Sequence, residues 1–228
     1  METEEEIERR LRAITHGQSE IPGYEKWIQA RLHHEEASRF AVENLDRRLG
    51  DGPNLKLLDL GCGVGGLVAV RASRGWFSVG LDPFYAYLEI VALRLTRKGG
   101  SGHFVRGLGE TLPFRNHSFD IVTALDVLEH AENPARILEE IRRILKPGGR
   151  AYLIVVARYG WWDEHYRLPF INWLPRFLGA PLARVLRPSK PSVFAGRQNL
   201  AEMNYLTFRD FRNKALAAGF SGIRDLRE

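Results

Sequence analysis

The residues best suited to chemistry are clustered in two places. The first is Leu57-Leu58-Asp59-Leu60-Gly61-Cys62-Gly63-Val64-Gly65-Gly66, where an apolar run meets a glycine cluster. Glycines at such a turn let the backbone approach a ligand, and the helix that follows offers free N–H groups and a positive dipole end. Gly61, Gly63 and Gly66 also satisfy the GxGxxG spacing of dinucleotide sites, a weak match on its own. Asp59 argues against a dinucleotide, because a carboxylate two residues before the first glycine would repel a pyrophosphate. It suits a ligand carrying an ammonium and a sulfonium. Asp82 closes the next apolar run, where an acid can accept both hydroxyls of a ribose. The second cluster is Asp126-x-x-Glu129-His130. There His130 is the leading general base, with Asp126 and Glu129 as companions, and the same three groups could instead hold a hard divalent cation.

These residues need a scaffold, and the chain alternates apolar runs with helical patterns. Helices are expected over 2–14 and 24–49, the second from Trp27, Leu32, Phe40, Val42 and Leu45. Asp51-Gly52-Pro53 breaks the chain. Strands then follow at 55–60, 76–81, 103–106, 119–125 and 150–156, with helices at 64–74, 84–98 and 134–145; Gly99-Gly100 introduces the third strand. Asn133-Pro134 is a helix start and Lys146-Pro147-Gly148-Gly149 a stop. Strands alternating with helices predict a parallel sheet, an α/β doubly wound fold. The alternation pauses over 158–206, a stretch rich in tryptophan, proline and arginine, and resumes with a helix at 207–218 and a strand at 221–226.

The order LLDLGCGVGG, VGLDP, GETLPFRNHSFDIVTALDVLEH and ILKPGGRAYLIV resembles the class I S-adenosylmethionine (SAM)-dependent methyltransferases, closest to those acting on small molecules and lipid precursors. The resemblance covers about 55–157 with specific motifs and 207–226 more loosely. It implies a Rossmann-like fold with SAM as cofactor and S-adenosylhomocysteine (SAH) as product. Asp59, Gly61, Cys62, Gly63 and Gly65 would surround the methionine part. Asp82 would hold the ribose, Pro83 and Phe84 would lie beside the adenosine, Gly109 and Glu110 at the adenine, and Leu125 on the floor. The family often has aspartate where this chain has Leu108. Its sheet also ends in a hairpin, of which 221–226 would be the first member. Quinone-precursor O-methyltransferases bind a metal with an acid-x-x-Glu-His arrangement like that at Asp126, although many relatives carry Glu-His without one.

That resemblance divides the chain into an N-terminal helical lid (1–50), a SAM-binding core (51–157), an insertion or substrate cap (158–206) and a C-terminal helix and strand (207–228). His165, at the start of the insertion, is a reserve base. His33-His34 is a surface pair, because adjacent helical residues point apart.

Composition bounds the partners. The chain has 228 residues, 44% hydrophobic and 27% charged, with one cysteine. That excludes an internal disulfide and a CxxC metal site. There is no long apolar run, and METEEEIERRLR lacks the apolar core of a secretory signal, which points to the cytoplasm. A net charge of +5 is mild for a nucleic-acid binder. Arg176, Arg184, Arg187, Lys190 and Arg197 concentrate positive charge in the insertion, beside apolar residues such as Phe170, Trp173, Phe177 and Leu182. Peripheral membrane contact and a lipid-linked acceptor follow as one reading, and a cap packed on the sheet or on a second subunit as the other. The function expected is methyl transfer to a small or lipid-linked acceptor at oxygen. An RNA methyltransferase, a non-catalytic SAM-binding protein and, more distantly, a nicotinamide-dependent oxidoreductase are the alternatives.

Overall fold

The computed structural model describes residues 2–16, 19, 20, 23–50, 52, 54–98, 102–163, 165, 166, 168–186, 200 and 202–226. Asp51, Pro53, Gly99, Gly100, Glu164, Arg187, Lys190 and Arg197 lie outside them. Five parallel strands, β1 (Leu57–Leu60), β2 (Ser78–Asp82), β3 (His103–Arg106), β4 (Phe119–Leu125) and β5 (Leu145–Ile154), form one sheet in the order β3-β2-β1-β4-β5. Every residue of β1 and β2 is buried, Asp59 and Asp82 included, which is why neither shows the apolar–polar alternation of a half-exposed strand.

The period of two then sorts side chains between the faces. Leu58, Leu60, Val122 and Ala124 pack with Ile137, Leu138, Ile141 and Ile144 of α6 (Pro134–Ile144) and Ala215 of α8 (Phe208–Ala217). Leu57 and Ile121 point the other way, onto Val42 and Leu45 of α3 (His34–Leu49) and Leu67 and Val70 of α4 (Gly66–Ser73). Beside them α5 (Tyr85–Lys98) packs on α4 through Val68, Ala72, Leu88 and Val91. Helices on both faces of a parallel sheet make the expected doubly wound Rossmann-like α/β fold. The strand order reverses between β1 and β4, which opens a crevice at their carboxyl ends.

Capping follows the sequence signals. Asn133 Oδ1 accepts from Arg136 N at 3.2 Å, with Pro134 at the first helical position. Thr207 and Asp210 form a reciprocal capping box on α8. Asn133→Ala should lower the thermal midpoint by about 2–4 °C, the equivalent of ~1 kcal/mol; calorimetric melting checks this.

Three elements differ from expectation. The helix expected over 24–49 is two, α2 (Tyr24–Leu32) and α3, broken at His33. Arg94 of α5, fully buried, donates to the carbonyls of Leu32 and Arg31 and so takes up the end of α2. The strand expected from Arg150 starts at Leu145: the Lys146–Gly149 stop ends α6, yet its residues form a register shift inside β5, with Gly148 at φ 78°. Residues 221–226 form no strand. Gly222 turns the chain at φ 64°, and Phe220 and Ile223 pack on the α6–α8 core instead of extending the sheet.

At the other end α1 (Glu2–Ile14) and α2 rest on α5 through Ile7, Leu11, Ile28, Tyr87 and Ile90. The segment after β5 leaves and returns at one point, where Ala157 bridges Leu206 in parallel. Within it lie β6 (Trp162–Asp163), β7 (Leu168–Pro169) and α7 (Arg176–Leu186). Buried Asp163 of β6 joins the 3₁₀ turn Ile171–Trp173 to the returning chain, accepting from Asn172 Nδ2 at 3.1 Å and Tyr205 Oη at 2.6 Å. Among the described residues, no helix is long and apolar enough to cross a membrane.

Candidate active site

The crevice at the carboxyl ends of β1, β2 and β4 gathers most of the sequence candidates. Asp59, on β1, is buried and accepts from Thr123 Oγ1 of β4 at 2.7 Å. Burial pushes its carboxyl up to about 7; the Thr123 hydroxyl opposes the shift and the Asp82 charge adds to it. Asp82, at the end of β2, accepts from Gly63 N at 3.0 Å and Phe84 N at 2.9 Å, one bond to each oxygen. Burial raises its carboxyl, against those two N–H groups.

The glycines have distinct reasons. Gly61 has φ 70°, and a Cβ there would meet Val127 Cγ2 at 2.5 Å. Gly63 has φ 51° and nothing within 4 Å of such a Cβ, so its face is open beside Asp82. Cys62 points the other way, into the α4–α5 core, so only its backbone faces the loop's concave side.

Around this crevice, Phe84 packs against the α1–α2 cluster and lies edge-on to Tyr87, ring centroids 5.8 Å apart. Pro83 O accepts from Arg106 Nε at 3.1 Å. Gly109 fits under Ile137, where a Cβ would come within 2.8 Å. Glu110 braces the entry to α6, its Oε1 accepting from Glu132 N at 3.1 Å and from Asn133 N at 3.5 Å. Leu108 is exposed, and Leu125 is half-buried at the end of β4.

The residues of the Asp126–His130 motif differ in exposure. Asp126 takes a left-handed φ of 55° and is exposed. Glu129 and His130 sit in the short 3₁₀ turn Leu128–His130 that follows. Glu129 is fully buried, with no hydrogen-bond partner on either carboxylate oxygen among the described residues. Burial pushes it up to about 8, its own backbone N–H opposing the shift and the Asp126 charge adding to it. His130 Nε2 lies 3.2 Å from His165 Nε2, the rings 5.0 Å apart and steeply inclined. The reserve base is therefore the immediate neighbour of the leading one. Asn204, just before the chain rejoins the core, holds the turn through Glu129 O at 2.9 Å and Ala131 O at 2.6 Å.

Thr123, Asn204 and Arg31 had no distinguishing sequence signal. Arg31 lies 5.6 Å from the Trp27 ring; burial holds its guanidinium below the usual range, opposed by attraction to Tyr87 and Asp126. Of the expected surface pair, His33 is exposed and His34 half-buried. His34 abuts Gly66 at the start of α4, and burial pushes its imidazole down to about 4, with Arg31 and Arg94 adding to the shift.

Residues 58–153 match the family model described as a methyltransferase domain. Over this segment the chain is similar to class I SAM-dependent methyltransferase domains, a family that uses SAM as methyl donor and releases SAH. A ubiquinone biosynthesis O-methyltransferase from Saccharophagus degradans is 34% identical over 104 residues, 45% of this chain and 44% of that one. An uncharacterized methyltransferase from Mycolicibacterium gilvum is 36% identical over 112 residues, 49% of this chain and 43% of that one. The chain thus spans less than half the length of these curated relatives.

Solved structures extend the likeness beyond the matched domain. A SAM-dependent methyltransferase from Thermotoga maritima superposes with a TM-score of 0.56 at 21% identity, covering 88% of this chain and 78% of that one. The cyclase SpnF gives 0.57 at 22% identity, covering 80% and 56%. At these identities the likeness is one of fold alone.

The residues present fit SAM. Each Asp82 oxygen accepts one backbone N–H and retains capacity for a second donor. The open face of Gly63 leaves room for a ligand beside it, and Asp59 offers a buried acid to a cation.

Proposed function

We propose that this chain transfers the methyl group of SAM to a hydroxyl oxygen of a small, apolar or lipid-linked acceptor. The observation that carries this reading is the contact between the imidazoles of His130, in the turn after β4, and His165, in the segment between Ala157 and Leu206. The O-methyltransferase name of the Saccharophagus relative supports oxygen as the target.

SAM supplies a methyl group already activated by a sulfonium, so the protein's main task is alignment. In this reading Asp82 holds the ribose hydroxyls, and Asp59 with Gly61, Cys62, Gly63 and Gly65 surrounds the methionine part. Pro83 and Phe84 lie along the adenosine, Gly109 and Glu110 at the adenine, and Leu125 on the floor. His130 takes the acceptor proton. The 3.2 Å contact to His165 supports that role, because an imidazolium N–H donating to a neutral ring makes a charge-assisted bond. The insertion presents Tyr159, Trp161, Phe170, Trp173 and Phe177 to solvent, which suits an apolar or membrane-associated acceptor. Arg176 does not contribute free charge there: it donates to Met203 O at 2.7 Å and lies over the Tyr205 ring.

Two measurements test this reading. SAH release should appear with phenolic acceptors and not with amines, thiols or RNA; release with RNA alone would overturn it. SAM affinity should also depend on pH through Asp59. In the free protein its acid sits near 7, against about 3.9 when unfolded. The folded state therefore binds this proton more tightly. The stability contributed is present at low pH and is lost as pH rises through about 7. A cationic ligand favours the ionised form, so affinity should rise with pH below about 7, by at most about tenfold per unit. Asp59→Asn should flatten that rise in calorimetric titrations.

A further inference from the structure

Among the described residues, one group of three potential metal ligands converges, and it is not the one that sequence spacing suggests. Glu129, His130 and His165 place one donor atom each within 4.8 Å of one another. Asp126, four residues before His130, stands outside the group, exposed on a left-handed turn. From this convergence and the buried, unpartnered Glu129 carboxylate, we infer that Glu129, His130 and His165 bind a divalent transition-metal ion.

Glu129 is the strongest argument. Its side chain is fully buried and neither oxygen has a hydrogen-bond partner among the described residues. A carboxyl group left that way costs free energy in either protonation state, and a cation removes the cost. The spacing of the nitrogens agrees. Metal–nitrogen bonds of about 2.0–2.1 Å at a tetrahedral or octahedral angle put two donors about 2.8–3.4 Å apart, and the two Nε2 atoms lie at 3.2 Å. The Glu129 oxygen lies within 4.8 Å of both nitrogens.

The ligand types select the metal. Two imidazoles and one carboxylate favour zinc, iron, cobalt or nickel, whereas magnesium and calcium take oxygen ligands. Three protein ligands leave a coordination position open for a water or for an acceptor oxygen. The set also spans two parts of the chain. Glu129 and His130 follow β4, and His165 belongs to the segment between Ala157 and Leu206. A bound ion would tie that segment to the core and raise the unfolding midpoint with metal concentration. Coordination requires neither SAM nor turnover and is tested apart from them, although a bound ion would take the place of His130 as base in the proposed methyl transfer.

The test uses the untagged full chain, stripped with chelator and titrated with cobalt(II) followed by visible absorption, and with zinc(II) by calorimetry. One equivalent should bind. His165→Gln and Glu129→Gln should each weaken binding by more than the roughly 10–100-fold that loss of an outer partner costs, while Asp126→Asn binds as the parent does. Circular dichroism and SAM affinity establish that the variants are folded. In the parent protein itself, cobalt(II) should shift the ring protons of two of the seven histidines, which needs no variant. Absence of stoichiometric binding, full binding by His165→Gln, or loss in Asp126→Asn alone would overturn the site.

Discussion

Asp82→Ala should weaken SAM binding by about 10²–10⁴-fold and leave the protein folded. Hydrogen bonds to a charged acceptor contribute about 1.5–3 kcal/mol each, so two ribose hydroxyls account for about 3–6 kcal/mol, at about 1.4 kcal/mol per tenfold. Folding should tolerate the change because Asp82's own bonds are to Gly63 N and Phe84 N, both in the loops lining the crevice. The variant also removes a charge that raises the Asp59 carboxyl, which offsets part of what is lost. Calorimetric titration with SAM and SAH measures the effect. Unchanged affinity in a folded variant would remove Asp82 from the site.

His130→Ala should separate chemistry from binding. General-base assistance contributes about 10²–10⁴-fold, so turnover should fall by that factor while SAM affinity changes by less than about twofold. His165→Ala should lower turnover less if His165 only stabilises the protonated His130, and as severely if both rings hold a cation. Chelation distinguishes the two. Turnover by a base alone is indifferent to chelator, and turnover through a metal is abolished and then restored by added zinc or cobalt. Activity that survives both the substitution and the chelator would exclude the pair from the mechanism.

The parts of this molecule that were legible in the sequence are those whose causes are local. β1, β2 and β4 are buried on both faces, so their apolar runs stand out, and Asn133-Pro134 marks the start of α6 with its own side chain. Asp59, Asp82 and the glycines are readable because a strand–turn–helix fixes their spacing. What was not legible depends on distant partners. The break at His33 rests on Arg94, about sixty residues away, whose guanidinium takes the α2 carbonyls. The helical periodicity from Trp27 to Leu45 runs through that break without a mark. Residues 221–226 have a strand-like composition, and it is the φ of Gly222 and the packing of Phe220 and Ile223 that decide otherwise. The same holds at the second cluster. Sequence adjacency grouped Asp126 with Glu129 and His130, but could not show that His165, thirty-five residues after His130, lies against it.

Methyl transfer to oxygen is tested most directly with SAM carrying carbon-13 in its methyl group, incubated with the protein and a catechol and followed by NMR. The account predicts a new O-methyl carbon signal, with one SAH formed for each methyl transferred. SAM that binds in one equivalent yet yields no O-methyl signal, or a label found on nitrogen or sulfur instead, would contradict it.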